Sequence, residues 1–470
     1  MSSRKSPRST LQDAQGAPMA GFGAVFVAFC LVFSIFPLSN LFPGYVTSLP
    51  AGIKDSQPSL SPRKQDDLHL SQPTCKAEFS RLYPQLTVNE LVWKAKGGIR
   101  YEDVQNAAQH CRHGCVHLVI KHGQIFIKAQ EKDWQSRVRS SLQLLSSAYL
   151  GASEDEKALM EGVELVISTA DFDGFTDAAS RGAGWVLDKR VNDTEGQYLF
   201  PDFSFASWPE AGIPSYQEFR RQAAQVNDAV PWASKSNLAF WRGDALAGSN
   251  IKPRESLLSV ATGSGTSSWS DVKRTSFWES GPEFGSIVSP PDHCRHKFLI
   301  HSEGVAYSGR SKFVLSCTST VILHPLQWEQ HFHPALISDP LSPDRNHILL
   351  TGTYFENLPT TMQSLIAEEA GLHYGETTGE RVAKNAKRTL TDRYLTPAAT
   401  ACYIRAALIS YSAAMVRTSW PNGKGPVVSE GSGVKPGAGT NKGTLKELGV
   451  VGDVELGVWH NLGQPEWPPK

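Results

Sequence analysis

The chain has no surplus of charge: 46 Lys and Arg stand against 46 Asp and Glu in 470 residues. With no basic excess or stripe, nothing is available to drive counterion release from a nucleic acid, and that class of partner is set aside. The sequence also lacks a P-loop, a dinucleotide-binding fingerprint and a His-Glu-x-x-His zinc helix. No second close Cys/His pair completes a tetrahedral set with Cys111 and Cys115, which makes zinc a poor reading of those thiols. No internal repeat is visible. What is present is a globular composition, 10% aromatic with twelve tryptophans, suited to stacking against rings, including sugars.

Length alone favours two domains over one core. Met19–Leu38, within the apolar run 19–42, carries no charged residue, the length of a membrane-spanning helix. Arg4, Lys5 and Arg8 precede it, which predicts a cytoplasmic tail (1–18), an anchor (19–42) and a luminal body; a cleaved signal peptide is the competing reading. A lumen is oxidising, and outside the anchor's Cys30 six cysteines remain: Cys75, Cys111, Cys115, Cys294, Cys317 and Cys402. Six thiols allow 15 pairings, so spacing leaves the connectivity open. Asn192-Asp-Thr194 is a glycosylation acceptor on the luminal side.

Residues 43–74 read as a flexible stem, being rich in Pro, Ser and charge. From about 75 the pattern is globular. "VHLVIKHGQIFIKA" (116–129) reads as two strands around a turn, "DWQSRVRSSLQLLSSAYLGA" as an amphipathic helix and "VELVISTADF" (163–172) as a buried strand. That alternation favours an α/β sheet. A second unit starts near 215. There "SNLAFWRG" (236–243) is a strand, and "HKFLIHSEG", "SKFVLSCTS" and "TVILHP" give strand, loop, helix and strand, the size of a βαβ nucleotide unit. "ERVAKNAKRTLTDRYLT" and "AATACYIRAALISYSAAM" are helices, and the Gly- and Pro-rich segment after Trp420 reads as disordered.

Four places could carry chemistry. In "HSEGVAYSGRSKF" (301–313), Gly304 and Gly309 allow close backbone approach or positive φ. Ser308 and Ser311 offer hydroxyls or a helix cap, and Arg310 offers a fork for phosphate oxygens. A capped helix beside a surface arginine is the plainer reading. In "FWRGD" the strand-end pair Arg242–Gly243 could add a second cation. In "VISTADFDGF" Asp171 could serve as a general base, or Asp171 and Asp173 could clamp a divalent cation, or the pair could only stabilise a turn. "HPLQWEQHFHP" holds His324, Glu329, His331 and His333, a set open to zinc, to a cleft wall with Trp328 or to ordinary packing.

Together "LVISTADF", "YLFPDFSFASW", "FWRG", "CRHKFLIHSEGVAYSGRSKFVLSCTSTVILHP" and "ERVAKNAKRTLTDRYLT" resemble glycosyltransferase family 90, the group of fungal capsule-associated xylosyltransferase-type proteins and animal Rumi-type protein O-glucosyltransferases. The resemblance covers roughly residues 75–415. It implies an α/β fold of GT-B type, two Rossmann-like domains (75–214 for the acceptor, 215–395 for the UDP-sugar) facing across a cleft. A helix at 396–420 would cross back to the first domain, ahead of a largely disordered tail at 421–470. It implies an inverting, metal-independent enzyme without a cofactor, moving xylose or glucose from UDP-xylose or UDP-glucose to a hydroxyl of a glycan or glycoprotein. Asp171 matches the family's catalytic aspartate. Arg242 and Gly243, with Gly304, Val305, Ala306, Ser308 and Arg310, match its diphosphate-binding positions. The resemblance pairs Cys294 with Cys317, Cys75 with Cys402 and Cys111 with Cys115. Asp173 then becomes a supporting residue rather than a metal ligand. Two departures stand out: Glu303 replaces the arginine that precedes the loop glycine in the animal enzymes, and "PEWPPK" is no Lys-Asp-Glu-Leu retrieval signal. The expected location is the Golgi (or ER) membrane, single-pass type II. An inactive luminal glycan-binding protein and a metal-dependent transferase using Asp171 and Asp173 are the alternatives.

Overall fold

The apolar stretch after Cys115 pairs with the next strand because His122 and Gly123, at φ 54° and 71°, supply the left-handed turn a tight hairpin needs. The computed structural model describes residues 58–425 apart from 132, 173, 176–181, 214, 246–249, 277–280, 282–283 and 372–374, together with a strand at 454–455. The expected anchor at 19–42, the first part of the stem and Asp173 lie outside the described residues, as does the tail from 426 except that strand. Among the described residues no helix is long and apolar enough to cross a membrane.

The first sheet contains β1 (Cys115–Lys121), β2 (Gln124–Gln130), β3 (Val163–Ser168), β4 (Trp185–Val186) and β6 (Tyr198–Leu199); β5 (Lys189–Arg190) stands apart from it. Its order is β2–β1–β3–β4–β6, and Val454–Glu455 pair on the outer edge of β2, so the tail contributes an edge strand. β1 runs antiparallel to β2 and β3, while β3, β4 and β6 run parallel, so the sheet is mixed. The second sheet is parallel throughout: β7 (Ser236–Gly243), β8 (Ser270–Arg274), β9 (His296–His301), β10 (Thr320–Leu323) and, after the short β11 (Trp328–Glu329), β12 (Ile348–Leu349), in the order β12–β10–β9–β7–β8. β11 pairs with β5, which ties the two halves of the chain together. One face of the second sheet shares a continuous core with the first, and the other buries Trp241, Phe298, Ile322 and Met362 in a core of its own.

The helix Pro397–Ala414 packs into the first sheet's layer. Tyr403 Oη donates to the Leu199 carbonyl at 3.1 Å and Tyr411 Oη to that of Ala183 at 3.0 Å. Its buried Arg405 donates to Gly151 and Leu70 carbonyls (2.9 and 2.7 Å) and to Glu156 Oε2 (3.2 Å). Disulfides join Cys75 to Cys402, Cys111 to Cys115 and Cys294 to Cys317.

Two expectations need correcting. The stem is not flexible to residue 74: Leu60 and Leu70 are buried in the core, Pro62 and Gln72 begin short helices, and Leu60 N donates to Asp392 O at 3.3 Å. Apolar residues in a polar segment were enough to dock it. The segment read as one helix over "ERVAKNAKRTLTDRYLT" is α-helical only for Thr378–Ala386 and then widens to a π-helix over Lys387–Tyr394. At that junction Thr389 Oγ1 donates to the Asn385 carbonyl (2.7 Å), a side-chain bond that competes with regular helix pairing.

Candidate active site

All six residues of β3 are buried, which holds the strand's end in place and lets the chain emerge from the core at Ala170–Asp171. Thr169 Oγ1 donates to the Gly114 carbonyl (3.1 Å), and any side chain at Gly114, where φ is +67°, would collide with that hydroxyl. The Cys111–Cys115 disulfide closes the loop carrying Gly114. Asp171 therefore sits on a strand end braced by a covalent ring.

The Asp171 carboxylate is gripped by Arg137 of the helix Gln135–Leu150, with Nη1 2.6 Å from Oδ1 and Nη2 3.3 Å from Oδ2. The guanidinium lies over Trp134 (4.3 Å to the ring centroid) and Phe203 (4.8 Å), which fixes its plane. A third of the Asp171 side chain stays exposed. Burial raises its pKa above the ordinary value and outweighs Arg137, with Asp202 adding a smaller push upward. The result is an oriented and basic carboxylate.

Asp202 lies behind it, in the "FPDFSF" turn after β6, and is fully buried. It accepts from Ser204 N (2.6 Å) and from the Tyr307 hydroxyl, and pairs with buried Lys312 at 3.2 Å. Burial opposes its ionisation, but Lys312, Ser204 and Tyr307 together hold its pKa below the usual range. Since Tyr307 and Lys312 flank Arg310, this cluster joins the Asp171 side of the protein to the 304–310 loop. Asp188 is buried nearby without a well-formed hydrogen bond on either oxygen among the described residues. Burial, then Asp171, pushes its pKa well up.

The 304–310 loop follows β9 and precedes the short helix Ser311–Leu315, and Cys294–Cys317 ties the outer ends of this strand–loop–helix together. Neither Gly304 nor Gly309 has positive φ. Their role is close approach: a Cβ on Gly304 would lie 2.8 Å from Arg254 Nη2, and one on Gly309 3.2 Å from Asp202 Oδ2. The capped-helix reading fails, because no side chain caps this helix and Ser311 Oγ instead donates to Gln330 Oε1 at 2.8 Å. Val305 and Ser308 are half-buried and Ala306 is buried.

Three arginines surround this loop in different states. Arg242 is committed: Nη2 reaches both oxygens of Asp271 (2.8 and 2.9 Å), Nη1 donates to the Asp271 and Trp241 carbonyls (2.6 and 3.0 Å), and the group lies over Phe240. Gly243 gives the Trp241 ring its space. Arg310 donates to the Arg242 carbonyl. Arg254 donates to the carbonyls of Glu303 (3.0 Å) and Asp244 (2.5 Å). Among the described residues no carboxylate lies within ion-pair distance of either Arg254 or Arg310. Burial, then the Arg254 charge, lowers the Arg310 pKa to about 9.

Glu303 is buried, and its Oε1 accepts from the Gln327 and Trp328 amides (2.9 and 2.8 Å), so it anchors the segment that forms β11. Burial raises its pKa to about 7, with those two amides and Arg190 opposing. His324 Nε2 accepts from Glu303 N at 3.3 Å. His331 is buried against the rings of Phe205 and Tyr403 and His333 Nδ1 accepts from Gln330 N, while burial raises the Glu329 pKa near Lys189. Among the described residues no three metal-binding side chains converge. Asn192 is exposed between β5 and β6.

The sequence singles out Asp171 and the 304–310 loop but not Arg137, Asp188, Asp202, Arg254 or Lys312, which the structure brings around them. Asp202 was within reach, as a lone acid inside an aromatic stretch.

A mixed α/β body with a parallel sheet, a strand-end loop ringed by arginines and a basic carboxylate linked to that loop fits a glycosyltransferase fold. Residues 70–342, more than half of the chain, match glycosyl transferase family 90, and the chain belongs to that family. It is 27% identical over 193 residues to O-glucosyltransferase rumi of Drosophila pseudoobscura pseudoobscura, covering 38% of this chain and 46% of the relative. It is 26% identical over 151 residues to human Protein O-glucosyltransferase 1, covering 29% and 37%. The match thus spans less than half the length of these curated relatives.

Proposed function

We propose that the protein is an inverting UDP-sugar glycosyltransferase that moves glucose or xylose to a hydroxyl of a glycan or glycoprotein. The observation that carries this reading is the Arg254–Arg310 pair: two cations that, among the described residues, donate to backbone carbonyls rather than to carboxylates, at a loop whose Tyr307 contacts the Asp202 cluster beside Asp171. A diphosphate supplies the missing negative charge.

In this reading the acceptor hydroxyl oxygen forms a bond to the anomeric carbon and its proton passes to Asp171. The anomeric carbon–oxygen bond to UDP breaks, and its electron pair stays on the β-phosphate oxygen. Arg254 and Arg310 stabilise that growing charge, a task cations perform in other transferases, which supports a metal-independent mechanism. Arg242 acts indirectly, since its carbonyl accepts from Arg310 while its guanidinium is held by Asp271. The parallel second sheet and the docking of Pro397–Ala414 on the first sheet's layer support a GT-B arrangement with the donor at the second sheet. Three disulfides suit the oxidising lumen of the secretory pathway, in keeping with a type II Golgi or ER enzyme anchored through 19–42.

The test is a donor screen by UDP release with UDP-glucose and UDP-xylose against saccharide and serine-bearing acceptors, with and without EDTA. Release with one of these donors, retained in EDTA, is expected. Binding of no UDP-sugar would contradict the reading, and loss of release in EDTA would contradict its metal-independence.

A further inference from the structure

Beside Asp171 stands an aromatic group that the proposed chemistry does not use. Trp134 stacks on His113 (centroids 5.3 Å apart, planes at 27°), and Phe172 meets His113 edge-on at 5.6 Å and Trp134 at 6.5 Å. Arg137, which holds Asp171, packs on the same Trp134. Phe172 is 38% exposed and the His113 side chain 44%, so the stack ends in two rings open to solvent next to the proposed base. Asp133, 69% exposed, puts Oδ2 4.0 Å from His113 Nδ1 at the rim.

The backbone under these rings is costly. His113 (φ 63°) and Trp134 (φ 52°) both lie in the left-handed region, which bulky non-glycine residues avoid. His122 lies in a hairpin turn, and Trp134 in the turn that leads into the helix Gln135–Leu150. Strain of this sort persists where surrounding structure imposes it and concentrates at binding sites. His113 lies inside the Cys111–Cys115 ring and Trp134 lies under Arg137, the two supports that also flank the base.

We propose that His113 and Phe172, backed by Trp134, form the acceptor subsite and that its occupant is a pyranose ring of a glycan. This rests on the transferase reading above. Two exposed rings meeting at 63° offer apolar faces to sugar C–H groups, and the carboxylates of Asp133, beside His113, and of Asp171, held by the Arg137 that packs on Trp134, accept from sugar hydroxyls. A sugar has both kinds of group on one small ring, whereas a protein surface would need a larger apolar patch than two side chains. Arg137 packs on Trp134 while holding Asp171, so a sugar seated against this stack has the base close by.

The experiment uses the full chain, a panel of gluco-, manno-, galacto- and xylo-trisaccharides and a sugar-free serine-rich peptide, followed by saturation-transfer NMR, with UDP affinity measured on the same samples. Phe172→Ala and His113→Asn are compared with Phe172→Trp; asparagine tolerates the left-handed backbone, so that variant removes the ring without adding strain. At least one trisaccharide is expected to bind, about tenfold more weakly in the first two variants and within about twofold of wild type in Phe172→Trp, with UDP affinity unchanged throughout. No saccharide binding, binding of the peptide alone, or unchanged binding in Phe172→Ala would overturn the proposal. UDP binding without saccharide binding would leave the transferase reading standing, and saccharide binding without UDP binding would remove that reading while keeping the subsite.

Discussion

Arg137 and Asp171 form a two-contact ion pair, at 2.6 and 3.3 Å, in which the arginine is clamped by two rings and the carboxylate stays one-third exposed. The pair sets two opposed demands on one carboxylate. Burial makes Asp171 basic, and Arg137 keeps it ionised and aimed.

That opposition predicts a pH effect. The Asp171 pKa is already raised, and only the ionised form accepts a proton, so activity falls as pH drops through that raised value. Arg137→Gln removes the main force holding the pKa down. The acid limb of the kcat/KM profile moves to higher pH, and activity at neutral pH falls, while UDP affinity is preserved.

The arginines at the loop predict a donor effect. Arg310→Ala and Arg254→Ala each weaken UDP binding about 10- to 100-fold, the scale of one lost charge-assisted contact. Arg242→Lys acts differently: it breaks the Asp271 bidentate pair and lowers thermal stability more than UDP affinity. Calorimetry with UDP, alongside thermal melts, separates the two.

Glu303 predicts a stability profile. Its folded pKa of about 7 exceeds the ordinary 4.5, so the folded state holds the proton more tightly than the unfolded one. Stability from this group is full below about pH 4.5 and is lost as pH rises through about 7, a change of about 3.5 kcal/mol at about 1.4 kcal/mol per unit. Glu303→Gln flattens that slope between pH 5 and 8 in urea titrations, and an unchanged slope would contradict the assignment.

Disulfide removal predicts a contrast. Cys75–Cys402 spans 327 positions and joins the folded part of the stem to the Pro397–Ala414 helix, so Cys402→Ser costs about 2–5 kcal/mol of stability. Cys111–Cys115 closes a short loop and constrains the unfolded chain little. Cys115→Ser therefore lowers activity more than melting temperature, through the loop that braces Asp171.

Much of this was legible where chemistry is local. The β3 and β9 strands carry short apolar runs, Leu165–Ile167 and Phe298–Ile300, and Asp171 and the 304–310 loop follow within a few residues. What escaped was set by contacts between distant positions. Lys312 meets Asp202 across 110 residues, and Arg242 is taken by Asp271 from a neighbouring strand 29 residues on, so a strand-end arginine that looks free in sequence is not. Arg254 reads as an ordinary helix-start residue until Gly304 is seen to make room for it. The mixed first sheet escaped for a related reason: strand periodicity does not report direction, and only the His122–Gly123 hairpin turn shows β1 and β2 to be antiparallel.

The central claim is that Asp171 is the base and the arginine-ringed loop holds the donor, and one comparison tests it most directly: acceptor-dependent UDP release by wild type and Asp171→Asn, with UDP affinity measured in parallel. The account predicts equal UDP affinity and release slowed by about 100- to 10,000-fold in the variant. Wild-type release from Asp171→Asn would contradict it.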